Sequence, residues 1–120
     1  MNNEHWGYEA TFDLEGCNKS QISDEKVLAS YLAETVRRID MIAYGEPIMK
    51  NFANHDPSKG GYTIVQLIET SSITGHFVDS TGKAFINIFS CKEFDPDDAL
   101  DVIHEYFKPS SVVVKMMTRG

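Results

Sequence analysis

The order of apolar and polar positions along the chain predicts its elements. Residues 8 to 14 alternate as a half-buried strand, closed by Glu15-Gly16. Next, Val27, Leu28, Tyr31, Leu32, Thr35, Val36 and Ile39 fall on one face at helical spacing. Ser23 is the predicted cap of that helix, with Asp24 and Glu25 in its first turn and Arg37 and Arg38 in its last, as the helix dipole favours. Met41 to Tyr44 and Ile48 to Phe52 read as extended, punctuated by Gly45 and Pro47, and the polar stretch 54–61 reads as a loop. Residues 62–68 and 73–78 read as strands, with 79–83 a hairpin turn. Residues 84–91 alternate again, Phe85, Asn87, Phe89 and Cys91 on one face and Ala84, Ile86, Ile88 and Ser90 on the other. Asp95 then caps a helix with Pro96 at its first position, whose expected buried stripe is Ala99, Leu100, Ile103, Tyr106 and Phe107. Pro109 stops it, and Val112 to Met117 supplies a last strand.

Strand, helix, several antiparallel strands, helix and strand make an α+β fold: a two-layer sandwich, an antiparallel sheet with two helices on one face. Residues 1–120 form one domain, and the sheet's uncovered face must be short, polar or covered, for instance by a partner subunit. The hydrophobic share of 42% suits a globular domain, and the net charge of -7 argues against nucleic acid or an anionic membrane as partner. Cys17 and Cys91 form no CxxC pair, and His5, His55, His76 and His104 are scattered, so no metal is expected. Without a signal-like start or a spanning apolar run, the expected location is cytoplasmic.

The candidate chemistry lies in Glu69-Thr70-Ser71-Ser72 with His76, and in Phe89-Ser90-Cys91. Together with Asp13 to Cys17 and Gly61-Tyr62-Thr63, these segments resemble, in order and spacing, the small prokaryotic S-adenosylmethionine decarboxylase proenzymes. That family is pyruvoyl-dependent. Its cleavage serine precedes a processing histidine by five residues and a catalytic cysteine by twenty. Ser71, His76 and Cys91 match both intervals, and the interval to Cys91 selects Ser71 over the adjoining Ser72.

The resemblance implies autocatalytic serinolysis between 70 and 71. Ser71 Oγ attacks the Thr70 carbonyl, the acyl group shifts to oxygen, and His76 removes the serine α-proton so that the ester carboxylate is eliminated. Ser71 thereby becomes a pyruvoyl group, the self-generated cofactor and Schiff-base former. Thr63, where the family has a processing serine, supplies a hydroxyl, and Cys91 is the proton donor to the decarboxylated substrate. Taken alone, a Cys91 facing inward with Phe85 and Phe89 reads as a small hydrophobe.

The sequence departs from the family in having Thr70 between Glu69 and the serine, and Phe77-Val78-Asp79 where the family has an aromatic residue, Pro and Glu. For an adenosyl substrate, Phe52, Phe77 and Trp6 are candidates to stack on the base, and Glu69, Glu15 and Asp79 to bind ribose hydroxyls. The implied substrate is S-adenosylmethionine, converted to the aminopropyl donor for spermidine synthesis by a homodimer of cleaved protomers. The alternatives are a pyruvoyl-dependent ornithine or arginine decarboxylase, and an uncleaved, non-catalytic binding or regulatory homologue.

Overall fold

The computed structural model describes residues 5–120. Its elements in chain order are β1 (Gly7–Glu15), α1 (Lys19–Ile22), α2 (Glu25–Arg38), β2 (Ile48–Phe52), β3 (Gly61–Ile68), β4 (Ser71–Val78), β5 (Lys83–Ser90), α3 (Pro96–Phe107) and β6 (Ser111–Arg119). The six strands form one sheet in the order β2-β3-β4-β5-β1-β6, antiparallel throughout. This is the expected α+β sandwich, with the short α1 as a third helix.

Two local expectations are corrected. Ser23 ends α1 instead of opening α2, its hydroxyl donating to the Lys19 carbonyl at 2.8 Å. The cap of α2 is Asp24, whose carboxylate accepts from the Lys26 and Val27 N–H groups at 2.9 and 3.4 Å. A carboxylate there also meets the positive end of the dipole, which a serine hydroxyl does not.

Strand register sorts the side chains. Phe12, Ile86, Gly75 and Ile64 stand side by side across β1, β5, β4 and β3 on the covered face. Leu28, Tyr31 and Leu32 of α2 and Ala99, Val102, Ile103 and Phe107 of α3 close over that face, while Leu100 and Tyr106 are only half-buried. Phe77 and Tyr31 both pack on Phe107, with ring centroids 5.2 and 4.7 Å away. Burying each such side chain contributes about 1.5–3 kcal/mol.

The second correction concerns Phe85, Asn87 and Phe89, which lie on the open face of the sheet. Ala84, Ile86, Ile88 and Ser90 are the inward set. A run with bulky apolar residues on both faces cannot declare its core side by periodicity alone. The open face also exposes Leu67, Ile48, Phe52, Val113 and Met117.

After α2, Asp40 turns left-handed at φ 60°, and the Met41 N–H returns to the Val36 carbonyl at 2.9 Å, a Schellman-type closure. The following segment pairs with the end of β3 through Tyr44 N–H to Leu67 O at 2.8 Å and Glu69 N–H to Ile42 O at 3.0 Å. The C-terminal end of α2 is thereby tied beside Thr70.

Candidate active site

Only Glu69 and Thr70 connect β3 to β4, so the Thr70-Ser71 peptide sits at a tight hairpin. Ser71 pairs with Ser90, the last residue of β5, which sets Cys91 beside it. The Ser71 hydroxyl donates to the Thr70 carbonyl oxygen and lies 3.4 Å from Thr70 Oγ1. The Cys91 N–H points at both, 3.2 Å from Ser71 Oγ and 3.4 Å from the Thr70 carbonyl oxygen. The hydroxyl, the carbonyl it would attack and an N–H donor therefore form one cluster, with Ser71 and Cys91 both half-buried.

His76 and Thr63 form a second cluster. They are register partners on β4 and β3, and Thr63 Oγ1 is 3.0 Å from His76 Nδ1. Within one chain this pair does not meet Ser71. Five residues of strand separate Ser71 from His76 by roughly 16 Å, and an odd interval puts them on opposite faces. Ser71 shares the face of buried Ile73 and Phe77, whereas His76 is exposed on the open face beside Phe85.

The remaining candidates divide in the same way. Glu69 is exposed and lines a cavity of about 180 Å³ with Asp40, Met41, Ile42, Thr70 and Lys92, at the Ser71 end. Phe52 is exposed opposite Gly61, at the far end of the sheet, as is Glu15 at the close of β1. Asp79 follows β4 at that far end, bordering an open hollow of about 280 Å³ with Asn54, Pro57, Gly60 and Ser80. Its Oδ1 is buried without a hydrogen-bond partner, and loss of hydration holds its pKa above the ordinary carboxylate value. Phe77 is corrected: at 1% exposure and packed on Phe107, its ring has no free face for a ligand.

One group at the Ser71 end was not legible as a unit. Trp6 stacks on Phe89, centroids 6.2 Å apart, and the Arg119 guanidinium lies 5.7 Å from the same ring. Phe89 is the register partner of both Ser72 and Glu9. The Glu9 carboxylate accepts from Asn87 Nδ2 at 2.6 Å and pairs with Arg119, and these bonds, Asn87's first, hold its pKa below the usual value. Gly7 makes room for the ring, since a Cβ there would stand 2.7 Å from Phe89 Cζ. Trp6 was visible as an exposed aromatic candidate, but Phe89, Glu9 and Arg119 come from three strands, and no local signal joins them.

The fold is that of a known decarboxylase class. The crystal structure of the adenosylmethionine decarboxylase from Aquifex aeolicus superposes with a TM-score of 0.80 at 21% identity, over 98% of this chain and 93% of that one. The S-adenosylmethionine decarboxylase family model matches residues 8–120, and the chain belongs to that family of carboxy-lyases. Similar curated relatives include the S-adenosylmethionine decarboxylase proenzyme of Clostridium botulinum, 28% identical over 115 residues, which are 95% of this chain and 94% of that protein. The proenzyme of the same name from Methanococcus vannielii is 28% identical, over 95% of this chain and 89% of its own length. Among the described residues no helix is long and apolar enough to cross a membrane.

Proposed function

We propose that this chain is a cytosolic proenzyme that cuts itself between Thr70 and Ser71 and then decarboxylates S-adenosylmethionine, yielding the aminopropyl donor for spermidine synthesis. The observation that carries the reading is the Ser71 hydroxyl resting against the Thr70 carbonyl, with the Cys91 N–H directed at both. Attack by Oγ on that carbonyl carbon places negative charge on the Thr70 oxygen, and the Cys91 N–H is a donor already aimed there. Collapse expels the Ser71 nitrogen as an amine and leaves an ester. A base then removes the Ser71 α-proton, the C–H electrons form the Cα–Cβ double bond, and the Cβ–Oγ bond breaks to release the Thr70 carboxylate. The resulting enamine tautomerises to an imine, and water hydrolyses it, supplying the ketone oxygen and releasing ammonia, to leave the pyruvoyl group at position 71. That ketone supplies an electron sink for decarboxylation. In the same arrangement the Cys91 thiol delivers the proton to the substrate carbon.

His76 fills the role of base only if it comes from a second copy. Ser71, Cys91, Glu69 and the Trp6–Phe89 stack gather at one end of the sheet, while His76, Thr63, Phe52 and Asp79 gather toward the other. Two chains packed antiparallel through their open faces bring complementary ends together twice. Each His76 then approaches the partner's Ser71 from the face opposite its side chain, toward the backbone Cα–H that the base deprotonates. That packing also covers Phe85, Leu67, Ile48 and Val113. The proposed enzyme is accordingly a homodimer of cleaved protomers.

Cys91→Ala is expected to permit cleavage, because its backbone N–H is kept, yet to lower kcat by about 10²–10⁴-fold, the range for losing a positioned acid. The check is CO2 release from S-adenosylmethionine, with ornithine and arginine assayed beside it. Full turnover by Cys91→Ala places the proton donor elsewhere. Release from ornithine or arginine alone rejects the adenosyl substrate.

A further inference from the structure

The cavity beside the scissile peptide holds a cation that the reaction above does not use. Among the described residues Asp40, Glu69 and Lys92 are the charged ones lining it, so Lys92 is the single ammonium among them, and Thr70 forms part of the same wall. Lys92 Nζ presently donates to the Asp40 carbonyl at 2.6 Å and lies 3.2 Å from Asp40 Oδ2. The Asp40 side chain is 95% exposed and that of Lys92 51%, so this is a weak, water-screened pair whose ammonium is free to swing. The backbone fixes where it can swing. Cys91, its neighbour in sequence, is held to the Thr70 carbonyl and Ser71 Oγ, and the Lys92 N–H is fastened to Ser90 Oγ at 2.9 Å.

We propose that Lys92 is the counter-cation for the carboxylate that self-cleavage releases at Thr70. The inference rests on cleavage at 70–71 and adds a residue to it. Before cleavage the Thr70 carbonyl is a neutral amide and then a neutral ester. The acyl shift's transient oxyanion faces the Cys91 N–H, and a lasting full charge develops only as the Cβ–Oγ bond breaks, when its electron pair passes to the departing Thr70 carboxylate. That charge enters a cavity already bearing the carboxylates of Asp40 and Glu69, so without an ammonium the elimination is opposed by two like charges. A cation meeting that lasting charge accelerates elimination more than the preceding acyl shift, whose transient oxyanion already has the Cys91 N–H as its donor. Once cleavage is complete, the same pairing anchors the new C-terminal residue beside position 71.

The test follows freshly synthesised precursor from cell-free translation by intact mass, comparing wild type with Lys92→Met, Lys92→Arg and Asp40→Asn at low and high salt. Lys92→Met is expected to form fragment 1–70 roughly five- to tenfold more slowly, the size of one partly screened charge pair. It should accumulate the ester, which hydroxylamine captures as the 1–70 hydroxamate. Lys92→Arg should restore cleavage to within about twofold. Asp40→Asn, which releases the ammonium and suits the left-handed backbone at 40, should cleave at least as fast as wild type. Added salt should slow wild type and leave Lys92→Met unchanged. A wild type that is cut beside a Lys92→Met cut at the same rate overturns the assignment alone. So does a slow Lys92→Met that traps no ester and is not rescued by arginine, or an Asp40→Asn as slow as Lys92→Met. A wild type that stays whole overturns the assignment together with the cleavage it rests on.

Discussion

Asp79 illustrates how a single carboxylate reports on its surroundings. Its buried, unpartnered Oδ1 raises its pKa by lost hydration, so the folded chain holds the proton more tightly than the unfolded chain. Stability therefore falls as pH rises through the window from the ordinary carboxylate value to the raised one, and stays lowered above it. Asp79→Asn removes the charge and should raise Tm by about 2–4 °C at pH 7 while giving no gain near pH 3. Thermal melts at the two pH values check this, and a loss of Tm at pH 7 would show that the carboxylate has a stabilising partner. Among individual residues, the interval from Ser71 to Cys91 was legible through the family resemblance, and strand pairing gives it a geometric reason. In an antiparallel hairpin a fixed interval returns the chain to its starting row, and Ser71 opposite Ser90 makes twenty residues the step that ends beside it. The five-residue step to His76 carries the opposite message, since an odd interval within one strand forbids a shared face. The burial of Phe77 was not legible. Which face of β4 is covered depends on where α3 docks, and Phe107 decides that from thirty residues further along.

At the scale of elements, the strands and the two long helices follow from their periodicity, and the departures lie at their ends. Asn18 caps a helical turn before α2, its Oδ1 accepting from Ser20 and Gln21 N–H at 3.1 and 3.3 Å, so three potential capping residues, Asn18, Ser23 and Asp24, crowd one junction. Residues 41–44 read as extended but form no strand, only an isolated bridge of Ala43 with Ile68 at the end of β3, and that partner is a tertiary fact. Gly61 marks the opposite limit. It opens β3 at φ 151°, and a Cβ there would collide with the Phe77 carbonyl oxygen. Gly61→Ala should accordingly destabilise the fold by about 2–4 kcal/mol through combined backbone strain and forced separation of β3 from β4. Urea unfolding measures this, and a loss under about 0.5 kcal/mol would mean that the two strands part there freely.

At the scale of the whole molecule, the two halves of the proposed chemistry stand at opposite ends of one sheet, and it is the proposed dimer that joins them. That arrangement makes a definite claim about mixtures. His76→Ala alone should remain uncut, or be cut at least about 10²-fold more slowly. Co-folding it with Ser71→Ala, which cannot be cut but carries an intact His76, should restore cleavage of the His76→Ala chain. Distinguishable tags on the two variants let a gel read which chain is cut. No rescue in the mixture, or wild-type cleavage of His76→Ala by itself, would reject a base supplied by the partner. The claim beneath all of these concerns one peptide bond, and intact mass of the purified protein under denaturing conditions tests it most directly. The account predicts two species, residues 1–70 and residues 71–120, the second lighter than its plain hydrolysis product by one ammonia, and a single full-length species for Ser71→Ala. A wild-type chain that remains one full-length species, or a Ser71→Ala chain that still divides at that bond, would contradict it.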